Sequence, residues 1–418
     1  MKMSHQKVSG LSGNEIFCLH QKGFKPGELC VGNSVVAIGV GRGLGAGLST
    51  LGGGEVKEVT DLVHEGRVNA LERMYQEGKQ YGGLGIVGIE FDMINHGGNL
   101  EFVTVGSTVH SANATKDSAE HIAFSTSADA QSFYCQLDAG FIPKKFVFGN
   151  VAYSIGLGGN LKAVFTRMAR GEVAEYTRIF DVTRHLALNR MVSEAKRNGA
   201  NVVLGVQTTI SPLMGTQEMM MVGTACTHPM MNQYNNRPAS SDMTSEETWN
   251  MVNMGYLPIS LVMGVSVYSL GFAGGILASL KSLVGGEVAG LTEILYEARE
   301  KALSRIELNA EQVGADEVVG VKTRVYDLGG GLVEFMAIGT AVKKIDGVGT
   351  RSPALLPQAI ITDRDTFVDS TDKTGRNNVT DITKGNKASA KMTQQGPVAI
   401  IVTILVVLFY ILRIFIGH

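Results

Sequence analysis

At 418 residues, with 18% charged residues and a formal net charge of -2, the chain exceeds one ordinary core and lacks the basic excess that phosphate-backbone binding needs. Hydrophobic residues reach 44% and mean hydropathy is +0.11, which excludes wholesale disorder and invites a membrane element. Glycine is abundant (52) and proline scarce (9), so the glycines serve folded turns, and four cysteines are too few for a disulfide scaffold.

Self-similarity organises the chain. Gly54-Glu55-Val56 recurs as Gly171-Glu172-Val173 and Gly286-Glu287-Val288, at offsets of 117 and 232. Those offsets hold without a gap from Gly23 to Gly88, and one inserted residue then shifts the third copy, where Glu334 matches Glu101 and Glu218. Three copies of one domain follow, over residues 7–110, 124–228 and 240–344.

The Met1–Gly10 stretch is polar, without the apolar core of a secretion signal, so the copies are expected in a reducing cytoplasm. Ser12 with Glu15, and Thr244 with Glu247, form capping boxes for a short helix, with Asp129 as the corresponding cap in the second copy. Gly23, Gly140 and Gly255 end it. An apolar strand follows over about 29–40, 146–157 and 261–272. Next, Leu44, Leu48, Leu51 and their counterparts Leu161, Phe165, Met168 and Ile276, Leu280, Leu283 keep an i, i+4, i+7 spacing, the stripe of a short amphipathic helix. A long helix is expected to open at Glu55, Glu172 or Glu287, whose carboxylate suits a helix N-terminus, and to stop at Gly82, Gly199 or Gly314. Two strands close each unit: 84–92 with 100–109, 202–210 with 218–226, and 317–326 with 333–342. The fold class is α+β, a small antiparallel sheet covered by a long helix.

The glycine-flanked strand, the Gly-Gly-Glu-Val opening, Arg67-x-x-Ala70-Leu71-x-Arg73, Gly-Ala before the next strand (Gly199-Ala200, Gly314-Ala315), Val318 to Val321 and the closing Gly339 to Val342 resemble the YbjQ-like family. The first copy departs from that pattern at Gly82-Gly83 and Gly106-Ser107-Thr108. The resemblance covers roughly three quarters of the chain. It implies a dodecin-like α/β fold assembling into a pentameric ring and no catalytic residues, and the family's label raises heavy-metal binding.

Residues 111–128 and 229–243 read as exposed connectors, and 345–395 as a polar, flexible spacer with a short strand near 359–362. Residues 396–417 are almost purely apolar and long enough to span a bilayer. Lys384, Lys387 and Lys391 precede them and Arg413 sits near their far end, so the expected protein is a single-pass, tail-anchored one. Its copies would lie on the cytoplasmic side of a bacterial inner membrane.

Candidate chemistry is sparse. Gly41 to Ala46 matches G-x-G-x-x-A, but the other copies break it. No His, Cys or carboxylate cluster recurs among the copies, and the soft donors Met214, Met219, Met221, Cys226 and His228 read mainly as core, with Cys226, His228, Met219 and Met221 as weak metal candidates. What does repeat is charge: Glu55, Arg67, Arg73 and Glu101; Glu172, Arg184, Arg190 and Glu218; Glu287, Arg299, Arg305 and Glu334. No nucleophile or general base repeats beside them, and planar Arg–carboxylate forks suit interfaces. These residues, with Leu48, Phe165 and Leu280, are assigned to an oligomer interface. The reading is a non-enzymatic, membrane-tethered, cyclic homo-oligomer with no cofactor and no nucleic acid, its copies stacked in three axial tiers. The alternative is a module holding a metal or small ligand between copies.

Overall fold

The computed structural model describes residues 8–37, 53–96, 98–112, 121–154, 171–213, 216–269, 289–329 and 332–361. Leu48, Phe165, Leu280 with the rest of their stripe, Glu287, Met214 and the apolar segment 396–417 lie outside them. Among the described residues no helix is long and apolar enough to cross a membrane.

The first repeat runs α1 (Gly13–Gln21), β1 (Phe24–Ala37), β2 (Gly54–Glu55), α2 (Lys57–Gln80), β3 (Gly85–Asn95) and β4 (Asn99–Ser111). After β5 (Phe124–Ser125), the second runs α3 (Ala130–Asp138), β6 (Ile142–Ser154), β7 (Gly171–Glu172), α4 (Ala174–Arg197), β8 (Val202–Leu213) and β9 (Thr216–Thr227). After β10 (Ala239–Ser240), the third runs α5 (Ser245–Asn253), β11 (Tyr256–Ser269), α6 (Ala289–Val313), β12 (Glu317–Gly329) and β13 (Leu332–Lys344), and α7 (Pro357–Ile360) follows. Both capping boxes form: Ser12 N–H donates to Glu15 at 2.8 Å and Thr244 N–H to Glu247 at 2.8 Å, while Asp129 caps α3 through Ser132 N–H.

In each repeat the last strand is central and antiparallel to both others, β4 between β1 and β3, β9 between β6 and β8, β13 between β11 and β12. Two repeated glycines are explained by this geometry. Gly88, Gly205 and Gly320 adopt φ near +60° at the register shift of β3, β8 and β12, the left-handed residue of a bulge. At Gly32, Gly149 and Gly264 an added Cβ would stand 2.0, 2.2 and 1.9 Å from the carbonyl oxygen of Ala70, Ala187 and Ala302. Helix backbone rests directly on strand backbone there, which is why Gly and Ala recur together.

Along the chain, sheets and helices alternate as layers. Helix α2 packs on β1 and β4 of its own sheet and on β6 of the second repeat, and α4 packs on β6 and β9 and on β11 of the third. Val59, Val63 and Ala70 of α2 accordingly share one buried cluster with Leu100 and Phe102 of their own sheet and Ala152 of the next. Unlike repeats therefore pack directly against one another within the chain, because α2 and α4 each have two faces to cover.

The N-terminal helices α1, α3 and α5 gather around Asp138, fully buried at the end of α3. Its carboxylate accepts from Lys22 Nζ (2.6 Å), Trp249 Nε1 (2.9 Å), Ser352 Oγ (2.9 Å) and Ser352 N–H (3.1 Å), tying all three repeats to the segment after β13. Burial alone would raise its pKa; the donors from Lys22, Trp249 and Ser352 outweigh burial and leave it lowered. Replacing Asp138 by Asn should cost about 2–3 kcal/mol at pH 7. Since the folded pKa lies below the unfolded one, the wild-type advantage is complete above the unfolded value, about pH 4, and shrinks as pH falls through the folded value. Urea titrations of both proteins from pH 7 to pH 3, followed by the single Trp249, check this; a constant gap would contradict it.

Five sequence expectations need correction. The Gly-Glu pairs do not open the long helix, which starts two residues later. They form two-residue strands, β2 on β6 and β7 on β11, each augmenting the sheet of the following repeat. The connectors are not wholly exposed: Ser125, Thr126, Ser240 and Ser241 are buried, and β5 and β10 pair in parallel with β3 and β8. The polar spacer begins later than 345, because Ile345, Val348, Leu355 and Leu356 pack against the cluster around Trp249. The strand expected at 359–362 is instead the short helix α7, whose Ala359 is buried. The first strands also begin earlier than expected, at residues 24, 142 and 256, since Pro26, Pro143 and Pro258 sit at register shifts where a missing N–H is tolerated.

Candidate assembly interface

The repeated charged residues meet between repeats, twice, in the same way. From α2, the Arg67 guanidinium forks onto Glu218 of β9 in the second repeat, with Nη2 to Oε2 at 2.8 Å and Nη1 bonded to Oε1. From α4, Arg184 reaches Glu334 of β13 in the third repeat, with Nη2 at 2.9 and 2.8 Å from the two carboxylate oxygens. Both pairs are buried; Arg184 and Glu334 are 0% exposed at their side chains. Arg184 also lies over the rings of Tyr153 and Phe180, at 4.7 and 5.1 Å from their centroids. Burial pushes the Glu334 carboxyl up against the opposing pull of Arg184.

A second pair closes each boundary from the other side. Arg190 binds Glu55 (2.8 Å) and the Asn150 carbonyl (2.8 Å), and Arg305 binds Glu172 (2.7 Å) and the Val265 carbonyl (2.7 Å). The Glu of each two-residue strand thus holds the arginine of the repeat whose sheet it extends. Arg73 makes the equivalent carbonyl bond, to Asn33. Thr60 and Thr177, the repeated hydroxyl, accept from Ala152 and Val267 N–H at 2.9 Å each, so they too stitch one repeat to the next. The connectors add Phe146 N–H to Ser125 Oγ (2.9 Å) and Leu261 N–H to Ser240 Oγ (3.0 Å). Apolar contact fills the rest of the first boundary: Phe91 meets Phe146 and Phe148 edge-on, with centroids at 5.1 and 5.2 Å.

The third and first repeats carry the remaining members. Arg299 is half-exposed and pairs with the adjacent Glu300; Glu101 pairs with His96 of its own hairpin at 2.7 Å.

The weak metal candidates do not converge. Met219 and Met221 are buried in one core cluster with Met191, whereas Cys226 belongs to another. His228 stacks on Phe141, accepts from Met230 N–H, and is held below its usual pKa by burial. All four cysteines are buried thiols; burial raises Cys135 and Cys226, and burial with nearby Glu77 pushes Cys30 up to about 12, the opposite of a thiolate ligand. Among the described residues no three His, Cys, Asp or Glu side chains gather in a metal-holding group. The donors present do not fit a metal centre.

Known proteins are similar to this chain in sequence. Encapsulin nanocompartment protein Rv1762c of Mycobacterium tuberculosis is 33% identical over 237 residues, 54% of this chain and 88% of that protein. UPF0145 protein Ta0182 of Thermoplasma acidophilum is 38% identical over 99 residues, 22% of this chain and 83% of its own length. A UPF0145 protein of Colwellia psychrerythraea is 44% identical over 85 residues, 20% of this chain and 81% of its own. The family model YbjQ_1, described as "Putative heavy-metal-binding", matches residues 24–112, 143–228 and 255–345, and the chain therefore belongs to that family, in three tandem copies.

Proposed function

We propose that this chain is a non-enzymatic structural protein that self-associates into a large ring or dome on the cytoplasmic face of a membrane, held there by residues 396–417. The observation that carries the reading is the doubled boundary: at two boundaries the side chains that join repeats are drawn from the repeated set, and none of them forms a nucleophile–base pair. The similarity to a protein named for an encapsulin nanocompartment supports an assembly role. The apolar length and lysine-rich flank of the C-terminal segment support the anchor. Particle mass of the full chain in mild detergent tests the reading: a whole multiple of 44.6 kDa supports it, and a lone species of 44.6 kDa protein mass contradicts it.

The alternative, a ligand held between repeats, has one cleft to point to. It measures about 500 Å³ where the first and second repeats meet, and Tyr75, Lys79, His121, Lys144, Lys145 and Asn198 are among its lining. Three lysines favour an anion over a metal cation.

A further inference from the structure

The layered order sheet, helix, sheet, helix, sheet, helix leaves two outer faces: the first sheet on one end and α6 on the other. In the second and third repeats the corresponding sheet face is covered by the long helix of the preceding repeat. In the first no described helix covers it, Leu29 N–H donates to the Val8 carbonyl alongside, and β1 is the outer strand of its sheet. Leu29, Val31 and Val35, on the face away from α2, are 37, 43 and 58% exposed, whereas their counterparts Phe146, Phe148 and Ala152 are 0, 2 and 0% exposed. Leu261, Met263 and Val267 in the third repeat are equally buried. An edge strand with apolar side chains is a surface that chains manage by covering it.

The opposite end has the complementary defect. Val321 is 42% exposed although its counterparts Ile89 and Val206 are 2 and 4% exposed. Tyr296 is 56% exposed, where His64 of the first repeat lies on the Phe148 ring of the second at 4.9 Å. Arg299 stacks on that tyrosine at 4.7 Å and, among the described residues, binds the adjacent Glu300, while its counterparts Arg67 and Arg184 are buried on Glu218 and Glu334. The charges match across the two ends: an arginine here, Glu101 there.

We propose that the two ends bind each other between chains, Arg299 of one chain forking onto Glu101 of the next, with Tyr296 and Val321 covering Val31 and Leu29. This rests on the self-assembly reading above and gives it polarity. The contact is head to tail, a third use of the boundary already built twice inside the chain, and it closes into a ring or runs on as a filament according to the rotation per chain.

The test is charge reversal in the full chain in mild detergent, read by particle mass and thermal unfolding. Arg299→Glu and Glu101→Arg each place like charges at the joint, so each should fall to monomers or short arrays while its unfolding temperature within the chain stays that of wild type. The double variant R299E/E101R should recover the wild-type mass, and a mixture of the two single variants should associate beyond either alone, because each joint between unlike chains is again complementary. Single variants that keep the wild-type mass, or a double variant that fails to recover it, would overturn this joint while leaving assembly itself standing. A wild-type chain that is monomeric would overturn both.

Discussion

Removing one partner of the Arg184–Glu334 pair should cost about 3–5 kcal/mol of unfolding free energy, the largest loss expected from any single side chain here. Arg184→Ala strands a carboxylate with no access to water, and Glu334→Ala strands a guanidinium between Tyr153 and Phe180. Either way desolvation is kept and compensation lost. Replacing both, as Arg184→Met with Glu334→Leu, removes the two charges together and should cost far less, roughly neutral by comparison with other buried pairs. The exposed pair Lys57–Asp61, at 70 and 60% exposure, is the internal control and should give about 0.5 kcal/mol or less. Urea unfolding of these variants measures all of this. A small single-variant loss, comparable to that of Lys57→Ala, would mean that the boundary is wet and that the pair does not hold the second and third repeats together.

Ending the chain after Gln395 should move the protein from the membrane pellet to the soluble fraction with its particle mass per chain ratio unchanged. The removed segment is built from Val, Ile, Leu and Phe, each worth about 0.3–0.6 kcal/mol of insertion near a helix centre, and it is the one stretch of such length in the chain. The boundaries between repeats owe nothing to it, since their bonds among the described residues lie within residues 15–361. Fractionation of cells expressing each form, followed by light scattering, gives the answer. Continued recovery of the shortened protein with membranes would assign attachment to the stripes at Leu48, Phe165 and Leu280 instead.

Much of this was legible in the sequence for a physical reason: where backbones touch, only one residue type serves. Gly32 and Ala70, with their counterparts, recur because a methyl group at the glycine would enter a helix carbonyl. The caps recur because three atoms must be placed at a helix start. Partner choice was not legible. Arg67 could face Glu101 in its own repeat or Glu218 in the next with the same repeat signal, and only the layered packing decides for Glu218. Glu55 misled because an acidic residue just before a helix reads as a dipole partner, whereas here its backbone extends another sheet and its carboxylate holds Arg190. Ser125, Thr126, Ser240 and Ser241 misled because a buried hydroxyl that bonds a neighbouring strand has the composition of a loop. Averaging over a polar stretch likewise hid Ile345, Val348, Leu355 and Leu356, four apolar residues spaced among Gly, Ser and Pro that still reach the Trp249 cluster.

If the open ends are halves of one joint, a chain cannot remain alone at concentrations where the joint forms. Each internal boundary holds a desolvated Arg–carboxylate pair with aromatic rings near it, the make-up of a strong contact. The most direct measurement is the particle mass of the full chain in mild detergent, by light scattering with symmetry read from electron micrographs. The account predicts a cyclic particle whose protein mass is a whole multiple of 44.6 kDa, with neighbouring chains joined head to tail; a monodisperse species of 44.6 kDa protein mass across the concentration range would contradict it.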